Sequence, residues 1–161
     1  MTISAGDSIP SINLTTMTSD GPGPLTADDI FKGKKVVLFG LPGAFTPTCS
    51  AKHLPGFVEH AAAIKAKGVD TIACMAVNDA FVMGAWGKEH DAGDKVLMLA
   101  DGSAKFTQAA GLVLDLTERG MGIRCERFAM IVDDGVVSSV FVEGPGKFDV
   151  SSAEAILGKL G

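Results

Sequence analysis

KKVVLFGLPGAFTPTCS, residues Lys34–Ser50, changes character at its centre. Val36–Leu41 is a short β-branched and aromatic run with turn residues on both sides, the pattern of a buried strand. Beyond it, Thr46-Pro47-Thr48-Cys49 reads as a helix start. Thr46 can cap, and Pro47 suits the first helical position because its missing N–H would have had no partner there. Cys49 then falls in the first turn, near free backbone N–H groups and the positive end of the helix dipole. That setting favours the thiolate, the nucleophilic form of the side chain. The competing reading is a small buried hydrophobe, since free cysteine is among the most buried residue types.

Outward from this junction the strand–helix alternation continues. A helical pattern runs from Thr48 to about Lys67, interrupted at Pro55. Val69–Val77 is a second buried strand, followed by Asn78-Asp79-Ala80, a helix-start signal. Phe81, Val82, Ala85 and Trp86 recur at helical spacing, with Trp86 expected in the core. Lys95–Asp101 reads as a third strand and Ser103–Gly111 as a short helix closed by its glycine. Arg127–Glu143 reads as two strands joined around Asp134-Gly135, a strong hairpin signal. Ser151 and Glu154 stand at capping-box spacing ahead of Ile156, Leu157 and Leu160. Ser19–Lys35 is loop-rich. The pattern predicts one α/β domain over residues 1–161, a mixed sheet covered by helices. Open sheets of this class bind ligands beyond the carboxyl ends of strands, where Cys49 is placed.

Composition narrows the function classes. Hydrophobic residues make up 47% of the 161 and charged ones 20%, enough apolar surface for a substantial core. Fourteen basic against 19 acidic residues leave a net charge of −5 with no basic stripe, which disfavours a nucleic-acid partner. No stretch approaches the ~18 apolar residues that span a bilayer, so no membrane partner is expected. The first residues lack the basic and apolar regions of a secretory signal, and the expected compartment is the cytoplasm. Cys49, Cys74 and Cys125 are an odd, widely spaced set without a C-x-x-C pair. That fits free thiols in a reducing compartment and gives no zinc ribbon or other metal motif.

Taken in order, GDSIP (Gly6–Pro10), PGAFTPTCS (Pro42–Ser50), VNDAFVMGAWGK (Val77–Lys88), LADGSAKFT (Leu99–Thr107) and RFAMIVDDG (Arg127–Gly135) resemble a peroxiredoxin of the five-like, type II subgroup. The plant-type, glutaredoxin-dependent members are nearest, and the likeness covers almost the whole chain. It implies a thioredoxin-like fold with a central mixed β-sheet flanked by helices. It also implies a thiol peroxidase acting on hydrogen peroxide and alkyl hydroperoxides without metal, flavin or haem, and a homodimer packed near the active-site loops. Under the resemblance Cys49 is the peroxidatic cysteine, Thr46 the hydrogen-bonding threonine, Pro42 the shielding proline and Arg127 the active-site arginine. Leu41, Phe45 and Phe128 are expected as apolar walls of the pocket, with plain core packing as the other role of each.

These assignments make chemical sense. A thiolate attacks one peroxide oxygen while negative charge grows on the other. Thr46, Arg127 and backbone N–H groups can hold both oxygens and stabilise that charge. Arginine suits this because it stays charged and offers fixed donors. The sulfenic acid formed on Cys49 must then be resolved by a second thiol.

Other residues compete for attention. His53, four residues after Cys49, could form a cysteine-hydrolase pair on one helix face, although Pro55 disturbs the turn and no orienting partner is evident. His60 and His90 read as exposed. Arg124 could support Arg127 or Glu126, or be a solvated charge at a strand end. Val142–Leu157, where some members of the subgroup carry a resolving cysteine, has Ser151 and Ser152 but no cysteine. Cys74 matches a cysteine of plant-type members and reads as buried in a central strand. Cys125, two residues before Arg127, would share a strand face with it if both were extended. With no internal resolver evident, the expected reductant is external: glutathione and glutaredoxin ahead of thioredoxin. The rival function is a peroxide-sensing relay that uses the same cysteine once instead of turning over.

Overall fold

The computed structural model describes residues 1–161. Its centre is three parallel strands, β3 (Lys35–Gly40), β4 (Thr71–Ala76) and β5 (Leu97–Ala100), reached through right-sized helical crossovers. The hairpin β8 (Phe128–Asp133) and β9 (Val136–Val142) adds antiparallel to β3. At the other edge β1 (Leu14–Thr18) pairs antiparallel with β5 and with β2 (Gly21–Leu25). The resulting seven-stranded order is β2-β1-β5-β4-β3-β8-β9, a thioredoxin-like arrangement. A separate ribbon, β6 (Val113–Leu116) with β7 (Gly122–Cys125), precedes β8.

Strand alternation divides the core into two layers. Val37, Phe39, Ile72, Cys74, Ala129 and Ile131 face one layer with Cys49 and Trp86. Val36, Leu38, Ala73, Met75, Phe128 and Met130 face the other with Phe106 and Cys125. Both faces of β3, β4 and β8 are therefore dry, which is why these strands read as continuous apolar runs.

Local chemistry sets the joints. Asp134 and Gly135 adopt φ of 48° and 78°, the left-handed pair that a two-residue hairpin requires. A side chain at Gly40 would collide with the ring of Phe128, its cross-strand partner, so the glycine admits that ring. The loop-rich segment after Ser19 contains more order than expected: β2, then α1 (Ala27–Phe31), which Thr26 and Asp29 close with a capping box.

The long helical stretch also divides differently. A π-helical turn, Cys49–His53, leads into α2 (Leu54–Glu59), and the chain breaks at His60 before α3 (Ala61–Ala66). Pro55 could not have donated to Ala51 and its ring would have crowded that carbonyl. The widened turn, with Leu54 N–H bonded to Cys49 O, instead places Pro55 in the first turn of α2, where proline is tolerated. Two further helices are as expected: α4 (Ala80–Glu89), capped by Asp79, and α5 (Lys105–Ala109). The last, α6 (Ala153–Leu160), is capped by Ser152 rather than Ser151.

Candidate active site

Beyond the carboxyl end of β3 the chain turns sharply. Phe45 takes a left-handed φ of 65°, and Ala44 N–H bonds to Asn78 Oδ1 at 2.9 Å. Thr46 Oγ donates to Gly43 O at 2.7 Å, and Ser50 N–H to Thr46 O at 2.9 Å, so the helical turn begins at Pro47. Cys49 follows, completely buried. Arg127 comes from the short link between β7 and β8, one residue before Phe128. Its Nη2 donates to Cys49 Sγ at 3.2 Å. Its carbonyl accepts from Glu143 N–H at 2.9 Å, tying it to the end of β9.

The other Arg127 terminal nitrogen, Nη1, lies 2.9 Å from His53 Nδ1. The opposite ring nitrogen, Nε2, lies 2.9 Å from Ser151 O. A carbonyl can only accept, so Nε2 carries the proton and Nδ1 offers its lone pair to the guanidinium. His53 is sealed from solvent by Phe39, Phe57 and Phe148, with ring centroids 4.9, 5.7 and 5.1 Å away. Burial first, and the Arg127 charge second, lower its pKa to about 3, so the imidazole is neutral. Phe148 also carries the guanidinium over its ring at 5.8 Å.

Glu143 anchors the loop beyond β9. Its Oε2 accepts from Asp149 N–H at 2.6 Å, Ser151 N–H at 2.9 Å and Ser151 Oγ at 2.7 Å. Burial alone would raise its pKa, but bonds from Ser151 and its neighbours outweigh this and hold the carboxyl below its ordinary value. Above lies a cavity of about 470 Å3, with Pro42, Thr46 and Arg127 on its floor. Its apolar wall is Leu114, Leu116 and Met121, and Arg119 and Lys147 are among its other lining residues. The arrangement is a buried thiol held by a fixed cation, and that cation, with Thr46 and Thr48 beside the thiol in the chain, lines a pocket with an apolar side.

Known proteins share this framework. The profile of the Redoxin family matches residues 4–157. Peroxiredoxin-2B of Arabidopsis thaliana is 48% identical over 96% of both chains. The chain belongs to the peroxiredoxins. Their chloroplastic member Peroxiredoxin-2E-2 of Oryza sativa subsp. japonica is also 48% identical, over 97% of this chain and 72% of its own length. Reduced Prx3 of Vibrio vulnificus, solved in complex with hydrogen peroxide, is 51% identical with a TM-score of 0.95 over 99% of both chains. The type II plant peroxiredoxins are thus its group, and the chain is a thiol peroxidase, an oxidoreductase of the thioredoxin-like fold.

In this peroxiredoxin the structure brings Cys49 and Arg127 into contact, with Thr46 and Pro42 lining the pocket beside them. Three expected walls lie elsewhere. Leu41 and Phe128 are fully buried in the two core layers, because β3 and β8 are covered on both faces. Phe45 is 51% exposed and turned toward Trp86 by its left-handed backbone, 6.4 Å between rings. Arg124 supports neither Arg127 nor Glu126. Its Nε donates to Met121 O at 2.9 Å and its Nη1 to Pro42 O at 3.4 Å, across Gly43, where a Cβ would sit 2.7 Å from that nitrogen.

The remaining thiols are apart from the pocket. Cys74 is buried at the centre of β4 as expected, and burial, then the Cys49 charge, raises its pKa. Cys125 ends β7 but turns into the opposite core layer, so it does not share a pocket face with Arg127. His60 is not simply exposed, being 3.0 Å from Glu154. His90 sits edge-on to Trp86 with its Nε2 buried and unbonded. Trp86 is core, as expected, yet its indole N–H reaches Ser50 Oγ at 3.0 Å. The residue that sequence reasoning undervalued is His53. Its orienting partner exists, but it is a carbonyl 98 positions away, with no local signal.

Proposed function

We propose that Cys49 is the peroxidatic nucleophile and that this peroxiredoxin reduces hydrogen peroxide and alkyl hydroperoxides with electrons from an external thiol. The observation that carries the reading is the 3.2 Å contact from Arg127 Nη2 to Cys49 Sγ. A guanidinium in hydrogen-bond contact favours thiolate over thiol, and the thiolate is the attacking form. The sulfur attacks the protonated peroxide oxygen and the O–O bond breaks. Its electron pair leaves with the distal oxygen as hydroxide or alkoxide, which takes a proton from water. Cys49 is left as a sulfenic acid, oxidised by two electrons.

Arg127 has donors to spare for the charge that develops on the departing oxygen. Thr46 has one proton, given to Gly43 O, so its oxygen acts as an acceptor for the peroxide O–H. Pro42 narrows the approach. Leu114, Leu116 and Met121 suit the organic part of an alkyl hydroperoxide.

The reductant we favour is glutathione with glutaredoxin, ahead of thioredoxin. One glutathione thiol condenses with the sulfenic acid, releasing water and leaving a mixed disulfide. A second thiol displaces Cys49 and carries away the disulfide. Neither Cys74 nor Cys125 lines the pocket, and the sequence between β9 and α6 holds no cysteine. We further propose that the chain works as one domain within a homodimer, supported by two large exposed aromatics, Phe45 at 51% and Phe81 at 66%. Three unpaired cysteines suit a reducing compartment such as the cytoplasm. No helix is long and apolar enough to cross a membrane.

Peroxide turnover, run in parallel with glutathione/glutaredoxin and thioredoxin systems, tests the reading. Many peroxides consumed per chain with the glutathione system is the expected result. A single stoichiometric oxidation with either reductant would instead identify a sensing relay.

A further inference from the structure

We infer that His53 is a positioning residue for peroxide reduction: as a neutral acceptor it fixes the Arg127 guanidinium so that one nitrogen of its fork points at the Cys49 sulfur. This deepens the assignment of Cys49 as nucleophile and rests on it.

The geometry divides the fork between two partners. Nη1 is held at 2.9 Å by His53 Nδ1, which leaves Nη2 at 3.2 Å from Sγ. A planar guanidinium cannot rotate one nitrogen without moving the other, so fixing Nη1 fixes the plane that Nη2 presents. The ring itself cannot turn. Nε2–H is bonded to Ser151 O, and Phe39, Phe57 and Phe148 pack around it. Ser151 is in turn fastened to Glu143 by two hydrogen bonds. The orientation of the catalytic cation is thus set from the loop after β9, through one imidazole.

A neutral partner matters as much as a fixed one. A carboxylate at the same place would hold Arg127 equally well, but would spend part of its positive charge on a salt bridge. The imidazole lone pair leaves the full charge for the thiolate and for the departing oxygen. The nearest anionic side chain in the chain of contacts, Glu143, stands two partners further back, behind Ser151 and His53.

Three measurements test this. His53→Leu removes acceptor and donor together and should slow sulfenic acid formation by up to about 10²-fold, the size of a modest misplacement at a reacting centre. His53→Gln keeps one acceptor and one donor and should recover most of that loss. In an Arg127→Ala background, His53→Leu should add almost nothing, because the group it positions is gone. Parental rates in His53→Leu, or losses that multiply in the double variant, would overturn the inference, since a purely structural histidine acts independently of Arg127.

Nitrogen-15 NMR of the unaltered protein guards against a variant that fails to fold. His53 should show protonated Nε2 and bare, hydrogen-bonded Nδ1. The opposite tautomer would end the proposal, because Nδ1–H cannot accept from Arg127. Dimedone trapping keeps the two readings separate: an adduct on Cys49 with a failed His53 test spares the nucleophile, whereas an adduct elsewhere removes it.

Discussion

Cys49 and Cys125 are equally sealed from water, yet their surroundings are opposite. Cys49 faces the Arg127 guanidinium at 3.2 Å, and Arg127 lines a cavity together with Thr46 and Thr48. Cys125 lies in the other core layer, beside the Thr107 hydroxyl and near Asp101 and Glu126. Burial pushes the Cys125 thiol far above its ordinary value; the Thr107 hydroxyl opposes the rise and the two carboxylates add to it. Desolvation alone therefore makes a thiol inert. What separates the proposed nucleophile from a filler is one cation in hydrogen-bond contact, itself on the wall of a cavity.

The sharpest way to break that comparison is to remove each sulfur in turn. Cys49→Ser should abolish peroxide reduction while far-ultraviolet circular dichroism stays unchanged. If turnover persists in that variant, the contrast between the two thiols is mistaken. Removing the cation instead of the sulfur should have the next largest effect. Arg127→Ala should slow sulfenic acid formation by roughly 10²–10³, as for loss of a donor to developing charge. Thr46→Val should also slow it, and Thr46→Ser less, because the hydroxyl survives. Stopped-flow fluorescence is a suitable readout, since Trp86 bonds to Ser50, the neighbour of Cys49. Arg127→Ala reacting at the parental rate would show that the contact is structural.

The legibility of these two regions differs for a physical reason. β3, β4, β5 and the β8–β9 hairpin announce themselves through apolar runs and Asp134-Gly135, all local signals. β2 reads as loop because it is Gly-Pro-Gly-Pro-Leu, and proline is tolerated there only because the strand is an edge. The β6–β7 ribbon has four residues per strand and no alternating apolar face long enough to see. Of the site, Cys49, Thr46 and Pro42 come from one continuous motif, and Arg127 from a second. The misplaced walls fail for two reasons: Leu41 and Phe128 belong to segments packed into the core, and Phe45 is turned away where the chain takes a left-handed φ of 65°. Ser151 and Ser152 are equally good caps locally; Glu143, eight residues back, takes the first and leaves the second for the helix.

A smaller effect distinguishes the regions by pH. The His53 pKa is depressed from 6.5 to about 3 in the folded protein by burial and Arg127, with Glu143 pulling weakly the other way. The unfolded chain therefore takes up this proton first. His53 costs no stability above pH 6.5, and stability is lost as pH falls from there toward 3, by about 1.4 kcal/mol per pH unit. Glu143, whose pKa is also depressed, adds a loss only below its ordinary value of 4.5. Urea unfolding at pH 6.5 and pH 5 should show the parent losing about 2 kcal/mol more than His53→Gln. Parallel losses would place a charged histidine in the folded site and contradict the tautomer on which the Arg127 geometry depends.

The smallest effect is expected from the other two thiols, and there the comparison is most exposed. A disulfide needs Cα atoms within ~7 Å or a backbone able to bring them there. Cys74 is pinned in the middle of the sheet, paired with Phe39 on one side and Met98 on the other, so it has no freedom to reach the pocket. Cys125 points into the opposite layer. A glutathione thiol has neither restriction. It can enter from the cavity once the first turn loosens, and the π-helical turn, with Leu54 N–H bonded five residues back to Cys49 O, is a weaker ladder than an α-helix there. Cys74→Ala/Cys125→Ala should therefore keep parental glutathione/glutaredoxin-dependent turnover, alanine being chosen because a serine hydroxyl would be buried without a partner at Cys74. Mass spectrometry after one equivalent each of peroxide and glutathione should show a glutathione adduct on Cys49 in both proteins. A Cys49–Cys74 or Cys49–Cys125 bridge, with an inactive double variant, would mean that burial does not keep these thiols idle and that the chain resolves its own sulfenic acid.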